Sequence, residues 1–576
     1  MLDLNGTSLS MSKLSGSGGA IDVSNTSLIL EQNTAGSYAG SFQGNTQALI
    51  EKSKAGEFSL SGNSSAYQGV FNVEKGALLM NGSMGGLINV KKSAFIRGRG
   101  SVNDLVIYGT IGPGDPVGML RVKGNYVQQA GSVYEMQVDN KQHSDFIHIQ
   151  GTAKLNGGTV RLGEPRTVYK ADSKFLILEA LGGVLGTYAA LDAPHLPFLY
   201  FYLSYDPKQV YLNVYKPIAF SALATTANQI ATADALETLP PTDPLYIAAV
   251  NLNTAEKAQK AFDLLSGEIH ASILGSIAEE SRYLREAIWQ ELAQPSQANN
   301  DHALWLRTFN SQVKRDTDNN AAQLNGTASG FFLGVDQRLS EQLKFGAVFG
   351  HGASQNKVPE RGSLANLSQS ALAVYSEYQM GAWSMRGGYG HYWYSPQVQR
   401  VAEVGEVLNY LNSHYKASSD QFFTELSHKN SFKGIAIEPL AQFAVVNAAT
   451  RSFVEQSGLT ALHGFSEQLW LPLSTLGLRS THKLWQSEHL SLGSKAMLGW
   501  QHAFNSCIPK AVFAFASSAN FNISGTPIAK DSAILTAGLE LKNTGVHELA
   551  VDLSYQGQLA PNVTNNGLLF TFNWTH

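Results

Sequence analysis

The chain has 576 residues, only 15% of them charged, a formal net charge of −4 and a single cysteine, Cys507. It is too long for one ordinary domain and poorer in charge than the roughly 25% typical of soluble domains, and no basic run exceeds two residues, so nothing in it would hold nucleic acid. One cysteine excludes an intrachain disulfide framework and a cysteine-built zinc site.

Residues 1–104 alternate short apolar segments with Gly, Asn and Ser turns: Ser27–Leu30, Gly56–Leu60, Ala77–Met80, Gly86–Val90. An internal echo, Ser37-Tyr-Ala-Gly-Ser-Phe42 and Ala66-Tyr-Gln-Gly-Val-Phe71, points to a β-solenoid, in which each coil hides its apolar face by stacking on the next. An irregular β-sandwich is the alternative.

Residues 105–217 continue the pattern with distinctive strings. They are Gly109-Thr-Ile-Gly-Pro-Gly-Asp115, Gly118-Met-Leu-Arg-Val-Lys-Gly-Asn-Tyr126, Gln129–Glu135, His143–Ile147 and Gly151–Val160. In this order they resemble the autochaperone or junction region that ends the passenger of type V autotransporters. The resemblance implies a right-handed parallel β-helix whose last coil, an open edge, is capped here. Gly112, Pro113, Gly114 and Gly124, with Gly157 and Gly158, are expected as tight-turn residues, with Tyr126 beside them.

From 218 to 299 the alternation stops and Ala, Leu, Gln and Glu dominate. One helix is expected from Ser266 as N-cap to Ala293, about 40 Å at 1.5 Å per residue. Ile269, Ile273, Ile277, Leu284 and Ile288 mark its apolar face. Glu268, Glu279, Arg282, Arg285 and Glu286 make the rest polar. Leu265-Ser-Gly-Glu-Ile-His-Ala-Ser272 and Ser281-Arg-Tyr-Leu-Arg-Glu286 are similar to the segment ahead of autotransporter barrels. The resemblance puts this helix in the barrel lumen; a linker helix on a soluble domain is the alternative.

Residues 300–576 hold twelve strand-like segments whose connections alternate short and long. That sorting is the habit of an outer-membrane barrel with short periplasmic turns and long outer loops. Long loops are expected at 311–328, 354–366, 395–414, 449–467, 505–531 and 557–566, with Arg315, Arg361 and Arg400 open to protease. Asp336, Glu377, Arg386, Glu425, Arg479 and Glu540 are assigned to the lumen, since an Arg facing lipid costs about 2–4 kcal/mol at the midplane. Trp305, Trp383, Trp393, Trp470, Trp485, Trp500 and Trp574 are assigned to interface girdles.

Gly330-Phe-Phe-Leu-Gly-Val-Asp336, Gly499–Phe504, Gly525–Asp531 and Leu553–Leu559 strengthen the resemblance to the autotransporter translocator. It implies an all-β chain with a helical linker: a parallel β-helix passenger end, then a 12-stranded antiparallel transmembrane β-barrel with a helix in its lumen. It also implies that the barrel sits in the outer membrane of a Gram-negative bacterium, exports its own N-terminal passenger and anchors it at the cell surface. The partners implied are outer-membrane lipid, the barrel assembly machinery with periplasmic chaperones, and a host-surface ligand of an adhesive or virulence-related passenger. The barrel is expected as a monomer. Phe570, Phe572 and Trp574 would be the assembly signal, although Thr575 and His576 extend past the usual aromatic end. Met1-Leu-Asp-Leu-Asn-Gly6 has no basic or apolar leader, so the true start is expected upstream.

No Gly-x-Ser-x-Gly, His-Glu-x-x-His or Walker loop occurs. The expectation is therefore no enzyme, no cofactor and no metal. Asn299 and Asn300, which could suggest self-cleavage, read as linker. An adhesin whose barrel is only an anchor and a porin-like channel remain as other readings.

Overall fold

A computed structural model describes every residue except 115, 140, 164–167, 295–301, 433, 544–547 and 576. Asn299 and Asn300 thus lie outside the described residues. The chain forms two compact units, Met1–Ile218 with Val250–Thr254, and Ala219–Ala249 with Ala255–His576.

The first unit is a parallel solenoid. Inward residues of successive coils stand in register: Leu28 on Ile50, Ile50 on Phe71, Phe71 on Ile88, Ile88 on Leu105, Leu105 on Tyr126. All are buried. A second column runs Phe58, Leu78, Ile96, Ile111, Tyr134 and Val160. The echoed tyrosines do one job in two coils. Tyr38 and Tyr67 each donate their hydroxyl to a carbonyl of the preceding coil, Gly19 and Ala48, both at 3.1 Å. Coils come too close at Gly62 for any side chain, since a Cβ would lie 1.9 Å from the Gly40 carbonyl oxygen.

The stack ends in antiparallel pairing: Ser173–Ala180 pairs with Gln209–Tyr215, and that strand pairs with Tyr200–Tyr205. The turn expectations need correction. Gly112 and Pro113 lie in the strand Thr110–Pro113, and Tyr126 is a fully buried strand residue of the first column. Gly112 pairs with Arg97 there, and a Cβ at Gly112 would lie only 3.0 Å from the Phe95 ring. Gly114, Gly157 and Gly158 have φ of 86°, 103° and 86°, which only glycine takes easily; Gly124 lies in the turn after Met119–Val122.

The second unit opens with helices α1 (Ala227–Glu237), α2 (Pro244–Val250), α3 (Ala255–Leu265), α4 (Glu268–Glu280) and α5 (Arg282–Leu292). The single helix expected from Ser266 is broken at Ser281. There the hydroxyl donates back to the Ala278 carbonyl (2.8 Å) and the backbone carbonyl accepts from Gln421 Nε2 (2.9 Å). A helix carbonyl drawn to an outside donor loosens the ladder at that point. Among the described residues no helix is long and apolar enough to cross a membrane.

Twelve antiparallel strands close on themselves. They are β1 (His302–Arg315), β2 (Leu324–Arg338), β3 (Leu343–Val358), β4 (Ser363–Met380), β5 (Trp383–Val404) and β6 (Ala417–His428). Then come β7 (Ile435–Thr450), β8 (Glu467–Gln486), β9 (Leu490–Ala503), β10 (Asp531–Asn543), β11 (Glu548–Leu559) and β12 (Val563–Thr575). Closure comes from β1 on β12, Leu304 facing Trp574.

The strands run further than expected. Four expected long loops shrink: to residues 316–323, to the turn Pro359–Arg361, to a β5 hairpin with Val407–His414, and to residues 560–562. Beyond the bilayer both faces of a strand are wet, so its polar residues resemble a loop in the sequence. The loops after β7 and β9 carry a separate four-stranded sheet: Phe453–Val454, His463–Gly464, Lys510–Ala514 and Phe521–Ser524.

Candidate functional site: the plugged barrel lumen

Alternation along each strand sends apolar side chains outward and polar ones inward, the arrangement required when lipid is outside. Leu333, Val335, Phe349, Leu372, Val374, Phe422, Leu498 and Leu553 are exposed. Trp383, Trp393, Trp470, Trp485, Trp500 and Trp574 are exposed as well. Trp305 departs from this set. It is fully buried in the lumen, where its Nε1 donates to the Tyr375 hydroxyl at 2.9 Å, and Gly334 leaves room for its ring. Phe570, Phe572 and Trp574 face outward along β12.

Inside, five consecutive strands share one ion-pair cluster. Arg386 (β5) bonds Glu377 (β4) at 2.9 Å, Glu438 (β7) at 3.1 Å, and Glu425 (β6). Arg479 (β8) bonds Glu425 at 2.9 Å and Glu438 at 3.0 Å. Buried charges are tolerated only when paired in this way. Asp336 (β2), also buried, takes an ion pair from Lys344 at 2.6 Å and a hydrogen bond from Tyr375. Glu540 lines a cavity of about 690 Å³ between α5 and the β7–β10 wall, with Trp289, Gln442, Lys495 and Gln556.

Helices α4 and α5 fill the rest. Arg315 (β1) reaches Glu279 with Nε at 2.8 Å and Ser276 with Nη1 at 2.9 Å. Ser276 also donates to Asn356 (β3) at 2.9 Å. Arg285 donates to Gln421 (β6) at 2.7 Å, and Arg282 to Gln558 (β11). Gln556 donates to Glu286, and Asn573 (β12) to Glu291 at 2.9 Å. Arg307 (β1) donates to the Ala287 carbonyl at 2.7 Å. The wall therefore holds the helices from several sides. Glu268 accepts from the Ala322 backbone N–H at 2.7 Å, at the end where β1 and β2 are joined by a loop. At the other end Glu291 lies near Lys344, by the short β2–β3 turn. The chain thus enters the lumen from the long-loop end and leaves at the short-turn end, where β1 begins.

The loop sheet seals the outer end of α4. Gly525 has no side chain because a Cβ would lie 2.4 Å from the Ser272 nitrogen. Buried His270 contacts the Tyr415 hydroxyl (3.1 Å) and Glu455 (3.1 Å), and Glu455 accepts from Arg400 at 2.5 and 2.7 Å. The protease expectation at three arginines is thereby corrected. Arg315 and Arg400 are buried strand residues in ion pairs, and Arg361 pairs with Asp263 at 3.2 Å and Glu268 at 3.4 Å. Sequence reasoning missed Arg307, His270 and Glu455 and read Arg400 as a loop residue. A buried-phase Arg inside an extended strand was the available signal for both arginines.

Residues 304–556 match the family model described as the autotransporter beta-domain. Two curated relatives, each an extracellular serine protease of Serratia marcescens, are 27% and 25% identical over 91% of this chain. The chain spans about half the length of these relatives, 55% and 56%. Their names overturn the expectation that no enzyme is involved. Among solved structures, the translocator domain of the autotransporter NalP from Neisseria meningitidis is 13% identical, covering 52% of this chain and 96% of its own, with TM-score 0.41. The beta domain of the Bordetella autotransporter BrkA is 15% identical, covering 48% and 99%, with TM-score 0.35. Residues 304–556 are thus an autotransporter beta-domain, a barrel in the outer membrane of a Gram-negative bacterium.

Proposed function

We propose that this barrel exports the residues N-terminal to its lumen helix and then anchors them outside. The observation that carries this is the direction of α4 and α5. α4 begins at the long-loop end of the lumen, while α5 ends and β1 starts at the short-turn end. A porin has no use for its own chain threaded through its pore. In this reading residues 1–104 are passenger coils, 105–217 cap them, 218–299 thread the pore and 300–576 span the membrane. Asp336, Glu377, Arg386, Glu425, Arg479 and Glu540 line the path, and Glu268, Glu279, Arg282, Arg285 and Glu286 hold the plug. Assembly would run through the barrel assembly machinery, with Phe570, Phe572 and Trp574 presented to it.

The test is an epitope placed at Gly131, an open turn with φ of 76°, and another at Gly381 in the short β4–β5 turn. On intact cells the first should be detected and the second should not. Detection of the Gly381 epitope alone would reverse the topology and end the export reading.

A second reading concerns the exported moiety. The names of both relatives support a passenger of the serine protease class over a purely adhesive one. Fluorophosphonate labelling of surface protein made from the complete coding sequence tests it. Absence of a labelled band despite surface display would reject it.

A further inference from the structure

Two places on the outward face of the barrel repeat one arrangement that lipid contact alone does not require. On β5, Tyr389, His391 and Trp393 face outward, and Asp420 of β6 lies opposite His391. His391 Nδ1 meets Asp420 Oδ1 at 2.7 Å, and the Tyr389 hydroxyl donates to the same oxygen. On β9, Trp500, His502 and Phe504 (just past the strand end) follow the same spacing, and Asp531 of β10 lies opposite His502. His502 Nδ1 meets Asp531 Oδ1 at 2.7 Å, and Trp500 Nε1 donates to it at 3.1 Å. In both, the imidazole packs edge-on against the next aromatic, Trp393 at 4.4 Å and Phe504 at 5.0 Å.

Both sets sit toward the outer leaflet. Asp420 is the fourth residue of β6 and Asp531 the first of β10, and both strands return from the loop end. The carboxylates keep 40% and 52% of their side-chain surface exposed. A carboxylate directed at lipid is costly, so two such sites imply a polar occupant at that height.

We propose that the two sites hold the sugar headgroup of an outer-leaflet glycolipid. The two donors in each site converge on Oδ1, which leaves Oδ2 for a further donor. An imidazole held at Nδ1 by a carboxylate is fixed in orientation and presents Nε2 to a ligand. A pyranose supplies what this pattern takes: hydroxyls to bond Oδ2 and Nε2, and a C–H face to lie on the neighbouring aromatic ring. A bare phosphate does not, because the outward carboxylate repels it. His351 of β3 is a built-in comparison. It faces outward beside Phe349 and Phe331, but its partner is the Ser370 hydroxyl at 3.1 Å, with no carboxylate.

The test uses the full chain in phosphatidylcholine nanodiscs, with rough lipopolysaccharide added in steps and barrel unfolding followed by heat-modifiable migration. Lipopolysaccharide should raise the unfolding midpoint. The double variant His391→Gln/His502→Gln should need about tenfold more of it for the same rise, as expected for one lost hydrogen bond to a charged group. Asp420→Asn/Asp531→Asn should weaken the response in the same direction and serves if the histidine pair does not assemble. His351→Gln should match the parent, and dioleoyl phosphatidic acid should give no rise that depends on His391 and His502. An unchanged response in both double variants overturns the proposal. So does an equal loss in His351→Gln, or a phosphatidic acid effect lost in the same variants.

Discussion

In the rod, Leu28, Ile50, Phe71, Ile88 and Leu105 stack inward while their chain neighbours face water. In the barrel, the inward positions of one wall are Glu377, Arg386, Glu425, Glu438 and Arg479, and their neighbours Tyr378, Met385, Leu426 and Leu478 are exposed. Both regions use the same two-residue period with opposite contents. The rod is held by apolar contact between successive coils, so its cohesion is local and adds coil by coil. The barrel cannot gain from apolar contact with lipid, and its inside is organised by paired charges around a helix. That difference predicts how each should fail.

The largest effect belongs to the plug. Removing residues 266–293 empties the lumen, and a 12-strand barrel without filling leaves an open pore. Planar-bilayer conductance should be small for the intact chain and rise by roughly tenfold or more for the deletion. Equal conductance would mean that the loop sheet alone seals the outer end. Removing a rod coil, by contrast, should leave conductance unchanged.

Next is Arg400→Leu. It leaves the buried Glu455 carboxylate with His270 and the Leu462 N–H but without its guanidinium, and breaking one side of such a pair costs about 3–5 kcal/mol. Temperature-dependent heat-modifiable migration should shift downward, and the 449–467 loop should become cleavable. Arg400→Leu/Glu455→Leu should recover most of the loss. If the double variant is worse than the single, the pair is not the unit that matters. In the rod, Phe71→Ala should cost a comparable 3–5 kcal/mol or so. Because coils interact only with neighbours, hydrogen-exchange protection should fall near residues 49–52 and 87–90 and persist beyond Gly151. Uniform loss along the rod would refute the coil-by-coil picture.

What the sequence conveyed follows from the same contrast. Twelve strands were legible because apolar residues recur at every second position where lipid lies on one side. The stack was legible because Tyr38 and Tyr67 repeat with their neighbours. The helix was legible from its apolar face, but its place in the lumen came from the resemblance of Leu265–Ser272 and Ser281–Glu286 to the segment ahead of autotransporter barrels. The parts beyond the bilayer were not. Arg315 and Arg400 read as loop residues because their strands meet water on both faces and lose the contrast, and Arg361 sits in the turn Pro359–Arg361, where only its ion pairs with Asp263 and Glu268 take it out of solvent. Trp305 read as a girdle residue because nothing in its own strand reveals Gly334 and Tyr375 across the wall. The break at Ser281 depends on Gln421, 140 residues away, and no local signal marks it.

The smallest effect tests whether charge matters to the rod at all. Asp145 is one of the few acids inside it, and burial pushes its carboxyl up to about 7. This happens against the Gly118 and Gln137 backbone N–H groups, which donate to its two oxygens at 2.9 Å each, and against nearby Arg99. A carboxyl raised on folding favours the folded state fully below its unfolded value near 3.8, and that contribution disappears as pH rises through about 7. The rod should therefore be most stable, as far as this group decides, near pH 4. It should lose stability on the order of 3 kcal/mol by pH 8, since each tenfold change in proton affinity is worth roughly 1.4 kcal/mol. Asp145→Asn should flatten the profile between pH 4 and 8. It should not reach the stability of the acid form, because its amide nitrogen would face one of the two N–H donors. Urea unfolding of the rod across this pH range, parent against variant, gives the answer. A parent profile that is flat or rises with pH would show that the two N–H donors outweigh burial, and Asp145 would then be a charged staple between coils, closer in kind to the barrel's paired charges than to the rod's apolar columns.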